Sequence, residues 1–77
     1  MQNQPEQATQ AVIKNIKKMR IRKRYTQLYM SGKLGISQNA YSKIELGYSK
    51  LTLVKFFKIA KILGVRATYL INGEQVE

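Results

Sequence analysis

The chain contains no cysteine, no histidine, no tryptophan and no aspartate, and only one proline, in 77 residues. Each absence excludes something. Without cysteine no disulfide can staple the fold, the redox compartment leaves no trace, and a small core must rest on helix packing. Without His, Cys or Asp the chain lacks the ligand clusters and poised bases on which metal-assisted or hydrolytic chemistry depends. A glutamate set among cations would have its pKa lowered, the wrong direction for a general acid. An enzyme is therefore not expected. No metal or cofactor is expected either, since the glycines do not fall in a phosphate-cradling loop. Long apolar runs are missing too. The most apolar stretch, Leu51 to Val65, carries Lys55, Lys58 and Lys61, and the polar N-terminal MQNQPEQATQ does not read as a signal peptide. A soluble, cytoplasmic protein that makes no use of a membrane is expected.

Acids are the scarcest charged type. Four Glu stand against 14 Lys plus Arg, a formal net charge of +10. Glu6, Glu74 and Glu77 lie near the ends, so between Thr9 and Gly73 every cation of the protein is present with Glu45 as the one carboxylate. A body of that kind seeks polyanions. Nucleic acid fits better than an anionic bilayer, because a helix lying on lipid needs one large apolar face free.

Length allows one small domain with a single core. Residues 1–8 read as a disordered polar tail, 9–73 as the folded domain and 74–77 as a C-terminal tail. The apolar periodicity predicts five helices. The first runs from about Gln10 to Arg24, capped by Thr9 and burying Val12, Ile16 and Met19, although Pro5 at a first helical position permits an earlier start. Its last turn holds Arg22, Lys23 and Arg24, where cations suit the helix dipole. The second helix spans Gln27 to Leu34 and the third runs to Leu46. Thr26 and Ser37 are their N-caps, and Gly35 supplies the left-handed residue of a tight turn between them. A fourth helix over 52–63 is expected to fill much of the core with Leu53, Phe56, Phe57, Ile59, Ala60 and Leu63, leaving its three lysines as a solvated stripe. A short fifth covers 67–71.

At 100° per residue the third helix divides into two faces. Ala40, Tyr41, Ile44 and Glu45 lie on one side, and Gln38, Asn39, Ser42 and Lys43 on the other. A wholly polar face beginning at a helix N-terminus is either a solvated surface or a surface that reads base edges. The turn chemistry and the charge balance favour the second.

Several segments in order carry a family resemblance. They are Ile16-x-x-Met19-Arg20, Thr26-Gln27, Leu34-Gly35-Ile36-Ser37-Gln38, Ser42-Lys43-Ile44-Glu45-Leu46-Gly47, Ile59-Ala60-x-x-Leu63-Gly64-Val65 and Tyr69-Leu70-Ile71-Asn72-Gly73. From about Ile16 to Gly73 the chain resembles the Cro and phage-repressor type of helix-turn-helix domain. That resemblance implies an all-α, five-helix, lambda-repressor-like bundle. It also implies sequence-specific binding of double-stranded DNA by a transcriptional regulator, a repressor, with helix 37–46 in the major groove.

Roles can then be assigned. Gln38 and Asn39 offer amides that pair bidentately with adenine, and Ser42 shares their face. Lys43 can donate to guanine or reach a phosphate. Gln27 resembles the family residue that sets an amide and helix N-terminal N–H groups on a phosphate. Tyr48, Ser49 and Lys50 are further phosphate candidates. Arg20 and Glu45 match an arginine and glutamate that form an ion pair in the family. The resemblance also implies a homodimer, weak without DNA, on a palindromic operator, assembled through the helical body around the fifth helix.

Leu28 and Tyr29 depart from the family pattern. Leu28 is expected to fold back on the first helix, or else both belong to a protein contact. Two other functions stay open: a protein-interaction module of antitoxin or bridging-factor kind on the same fold, and a non-specific nucleic-acid binder.

Overall fold

The computed structural model describes residues 4–73 as five helices: α1 Pro5–Arg22, α2 Gln27–Leu34, α3 Gln38–Leu46, α4 Leu53–Leu63 and α5 Ala67–Asn72. No strand occurs among the described residues. Each start and stop has a local cause. Thr26, Ser37 and Thr52 sit in extended conformation and accept from Tyr29 N, Ala40 N and Lys55 N, each satisfying an amide that the opening turn leaves orphaned. Gly35 ends α2 at φ 73°, ψ 29°, with Gly35 N donating to Gly32 O and Ile36 N to Ser31 O. That pair of bonds is a Schellman closure, and it needs a residue that adopts the left-handed conformation without strain.

The beginning of α1 differs from the sequence expectation. The helix starts at Pro5, and Ala8 N already donates to Gln4 O at 2.9 Å. Proline at the first helical position loses no bond, because that amide has no partner in any helix. Residues 5–8, expected in a disordered tail, therefore form the first turn, and Thr9 is no cap: its hydroxyl donates to Pro5 O. Residues 1–3 and the expected C-terminal tail 74–77 lie outside the described residues. At its other end α1 stops at Arg22, so Lys23 and Arg24 lie beyond its last turn. Arg24 takes φ 63° while its amide and that of Tyr25 bond back to Ile21 O and Arg20 O. A non-glycine residue there carries strain that the tight connection to α2 imposes.

The core joins Ile16 and Met19 of α1, Met30 of α2, Tyr41 and Ile44 of α3, Phe56, Ile59, Ala60 and Leu63 of α4, and Leu70 of α5. Ile13 is buried as well, whereas the expected Val12 is half-buried. Two residues assigned to the core are not in it. Leu53 and Phe57 are exposed, because the inward stripe of α4 is Phe56, Ile59, Ala60 and Leu63, at helical spacing, and Leu53 and Phe57 fall to one side of it. Leu28 is corrected in the same way. It stands 63% exposed and not against α1, since the residues that turn α2 inward are Met30 and Ser31. Ser31 satisfies its hydroxyl on Leu28 O at 2.8 Å.

Candidate nucleic-acid interface

The third helix is held by one face and free on the other. Tyr41 and Ile44 are buried, while Gln38, Asn39 and Lys43 are exposed and Ser42 is partly so. Every polar side chain expected to face bases therefore stands on the outer side of a helix whose inner side is packed. The cap bond from Ala40 N to Ser37 Oγ, 3.0 Å, fixes the turn from which Gln38 and Asn39 project.

What sets the angle of α3 is a carboxylate with four donors. Arg20 of α1 donates from Nε to Glu45 Oε2 at 2.7 Å and from Nη2 to Glu45 Oε1 at 3.1 Å. The third nitrogen of the same guanidinium, Nη1, donates to Tyr25 O at 2.9 Å and ties in the α1–α2 connection. Gln27 Nε2 of α2 donates to Oε1 at 3.1 Å, and the Tyr41 hydroxyl to Oε2 at 2.6 Å. The two side chains of the ion pair are 11% and 3% exposed. Bidentate arginine forks are geometrically restrictive, so this cluster locks three helices at one point.

The electrostatics follow from the geometry. Burial by itself would raise the Glu45 pKa, but hydrogen bonds from Arg20, Tyr41 and Gln27 outweigh it and hold the carboxyl below its ordinary range. The hydrogen bond to Glu45 moves Arg20 upward against the opposing effect of burial. Burial first, then the bond to Glu45, pushes the Tyr41 phenol far up, so that it stays protonated and remains a donor. No buried side-chain nitrogen or oxygen lacks a partner among the described residues.

Gln27, Tyr48, Ser49 and Lys50, the candidates for phosphate, fall on two segments. Gln27 is half-buried and spends one amide hydrogen on Glu45, which leaves the second available. The first amides of α2, at Gln27 and Leu28, have no acceptor within the helix. In the α3–α4 loop the backbone amides of Tyr48 and Ser49 both bond back to Lys43 O, at 2.9 and 3.4 Å. Those two amides are thus already engaged, while the side chains of Tyr48 and Lys50 are exposed and that of Ser49 is half-buried.

Sequence reasoning missed the parts that Tyr41 and Gln27 play around Glu45. For Tyr41 the signal was present: it precedes Glu45 by four residues on the same helix face, the spacing at which side chains meet. Beside this cluster lies the patch around Leu28. Tyr25 and Tyr29 pack with ring centroids 4.4 Å apart, and Lys33 Nζ stands 5.7 Å from the Tyr29 ring.

Among the described residues no three His, Cys, Asp or Glu side chains converge in a way that could hold a metal ion. No helix there is long and apolar enough to cross a membrane.

The sequence profile of the helix-turn-helix family matches residues 16–70, which covers α2 and α3 whole and most of the core. Over 63 residues the chain is 41% identical to an uncharacterized HTH-type transcriptional regulator, YqaE, of Bacillus subtilis, covering 82% of this chain and 54% of that protein. Over 62 residues it is 36% identical to YonR, an SPbeta prophage-derived uncharacterized HTH-type transcriptional regulator of the same organism, covering 80% and 57%. The chain thus spans little more than half the length of these curated relatives. No solved structure matches it significantly. The chain belongs to the helix-turn-helix family of the Cro and phage-repressor type, a family of DNA-binding transcription regulators.

Proposed function

We propose that the protein is a sequence-specific, double-stranded DNA-binding repressor of transcription that acts in the cytoplasm and lays α3 in the major groove. The observation that carries this reading is the one-sided burial of α3. Its inner face is clamped by Tyr41, Ile44 and the Glu45 cluster, and its outer face presents the hydrogen-bonding side chains of Gln38, Asn39, Ser42 and Lys43, with Leu46 exposed at its C-terminal end. A helix that reads bases has to be rigid, because each bidentate contact tolerates little angular error.

In this account Gln38 and Asn39 read base edges. Ser42 and Lys43 extend the reading one turn further. Gln27, with its free amide hydrogen and the two orphan amides of α2, takes a phosphate oxygen, and Tyr48, Ser49 and Lys50 grip the backbone on the other side. Two copies bind a palindromic operator with half-sites about 34 Å apart, and occupancy of that site excludes other proteins from it.

Gln38→Ala and Asn39→Ala test the reading. Each is expected to cost about 1 to 3 kcal/mol on the preferred duplex and little on random DNA. Competition titrations against both duplexes give the comparison directly. Equal losses on every duplex would remove the claim of base readout and leave a non-specific binder.

A further inference from the structure

The last residue of α3 breaks the pattern of its outer face. Leu46 is 61% exposed, yet it stands at helical spacing with residues proposed to read bases: Asn39, Ser42, Lys43 and Leu46 are i, i+3, i+4 and i+7 of one stripe. The other three can hydrogen-bond to a base edge, and Leu46 cannot. Its place is well defined all the same. Gly47 N donates to Ile44 O at 3.0 Å and Tyr48 N to Lys43 O at 2.9 Å around a left-handed Gly47, so the turn that carries Leu46 is closed and its Cβ direction is set.

Scattered exposed leucines are ordinary, and it is the surroundings that give this one a meaning. Lys43 lies three residues before it on the stripe, and Lys14 and Lys17 of α1 line, with Leu46 and Gly47, the open groove on its other flank. Two acids come near. Glu45 lines the same groove but is 3% exposed and bonded to four donors, and Glu6 stands two turns of α1 before Lys14, in the adjoining groove that Lys50 also lines. Cations therefore dominate the surface around Leu46, and what suits it is a polyanion that offers an apolar group at close range. In the major groove of DNA one base does so, because thymine presents a methyl group there. We infer that Leu46 contacts a thymine 5-methyl and so specifies thymine at one position of each half-site. It lies about 10 Å further along the helix than Asn39, which carries it past the base pairs that Gln38 and Asn39 meet. The inference rests on the reading of α3 as a base-reading helix and adds to it a residue that recognises shape and apolarity.

Replacing thymine by deoxyuridine removes that methyl and leaves the hydrogen-bonding groups of the base in place. The experiment takes the full chain and the duplex it prefers, replaces each thymine of the half-site in turn by deoxyuridine, and compares the parent, Leu46→Ala and Gln38→Ala in competition titrations. At one symmetric pair of thymines the parent is expected to lose about fourfold in affinity per methyl, the factor that burial of one such group carries. Leu46→Ala should bind the thymine duplex about as weakly as the parent binds the deoxyuridine duplex, and should not distinguish the two. Gln38→Ala should keep the distinction. Leu46 is exposed and alanine is the better helix former, so Leu46→Ala should melt no lower than the parent.

A parent indifferent to deoxyuridine at every position, or a Leu46→Ala variant that still tells the two bases apart, would overturn the inference while base reading by Gln38 stands. A loss for Leu46→Ala that is equal on every duplex, random ones included, would also overturn it, since a sugar or phosphate contact would then be the cause. If the parent prefers no duplex and Gln38→Ala changes nothing, the reading of α3 itself fails and this inference falls with it.

Discussion

Glu45→Ala is expected to lower folding stability by about 3 to 5 kcal/mol, and Arg20→Ala by a similar amount. The reason is what each substitution strands. Without Glu45, the Arg20 guanidinium keeps only the Tyr25 carbonyl, and the Tyr41 hydroxyl and one Gln27 hydrogen lose their acceptor in a part of the structure that water scarcely reaches. An exposed surface pair would forfeit at most about 1 kcal/mol, so the two cases are well separated. A domain of this size is stable by roughly 4 to 12 kcal/mol, and the variant should melt at least about 12 °C below the parent. The pH dependence has a definite sign. Glu45 titrates below its ordinary range in the folded protein, so its contribution is complete above its unfolded value of about 4.3 and disappears as pH falls through the folded value. The stability difference between parent and Glu45→Ala should therefore be flat from neutral pH down to about 5 and shrink only in stronger acid. Thermal melts across that range check both statements. A midpoint within a degree or two of the parent at neutral pH and low salt would mean that α3 is held by apolar packing alone.

Affinity for DNA should collapse with salt. If each subunit of a dimer neutralises roughly three to five phosphates, log K falls against log salt with a slope of about −5 to −9. Between about 50 and 200 mM salt that is a loss on the order of 10³ to 10⁵ in affinity. The basis is the cationic body, with 14 Lys and Arg against one interior carboxylate that is already paired. Lys50→Ala should reduce the magnitude of the slope by about one for each subunit and leave the preferred sequence unchanged, because a phosphate contact fixes register without reading bases. Filter or fluorescence titrations at four or five salt concentrations give the slope. A value near zero would show that phosphate neutralisation does not drive binding.

How much of this was legible in the sequence depended on how local each cause is. Thr26, Gly35 and Ser37 act within four residues of chain, so the turn between α2 and α3 could be read directly and has the expected caps. The two faces of α3 followed from helical period. Arg20 opposite Glu45 could be anticipated because a lone acid on a core-facing side demands a partner, and the family resemblance supplied one. The rest of that cluster was harder to see. Gln27 and Tyr41 reach the same carboxylate only because three helices converge there, and no spacing within one helix announces that for Gln27.

Apolar residues without a clear period misled in the other direction. In α4 they occur at Leu53, Val54, Phe56, Phe57, Ile59, Ala60, Ile62 and Leu63, nearly all around the helix, so periodicity could not distinguish the buried Phe56 from the exposed Phe57. For Leu28 two placements were open, folded back on α1 or in a protein contact, and its exposure removes the first. The start of α1 was set too late because its first turns are rich in glutamine and bury nothing, although Pro5 was the local sign of an earlier start.

The central claim is that the outer face of a clamped α3 reads base sequence, and selection from a random duplex library tests it most directly. At about 0.15 M salt, where non-specific attraction is screened but specific sites survive, the full chain is expected to enrich a two-fold symmetric sequence. Its half-sites should lie about 10 base pairs apart, centre to centre. Gln38→Ala should relax the preference at one position of each half-site and leave the others unchanged. Base frequencies that stay at those of the starting library through successive rounds, while binding itself persists, would contradict the account.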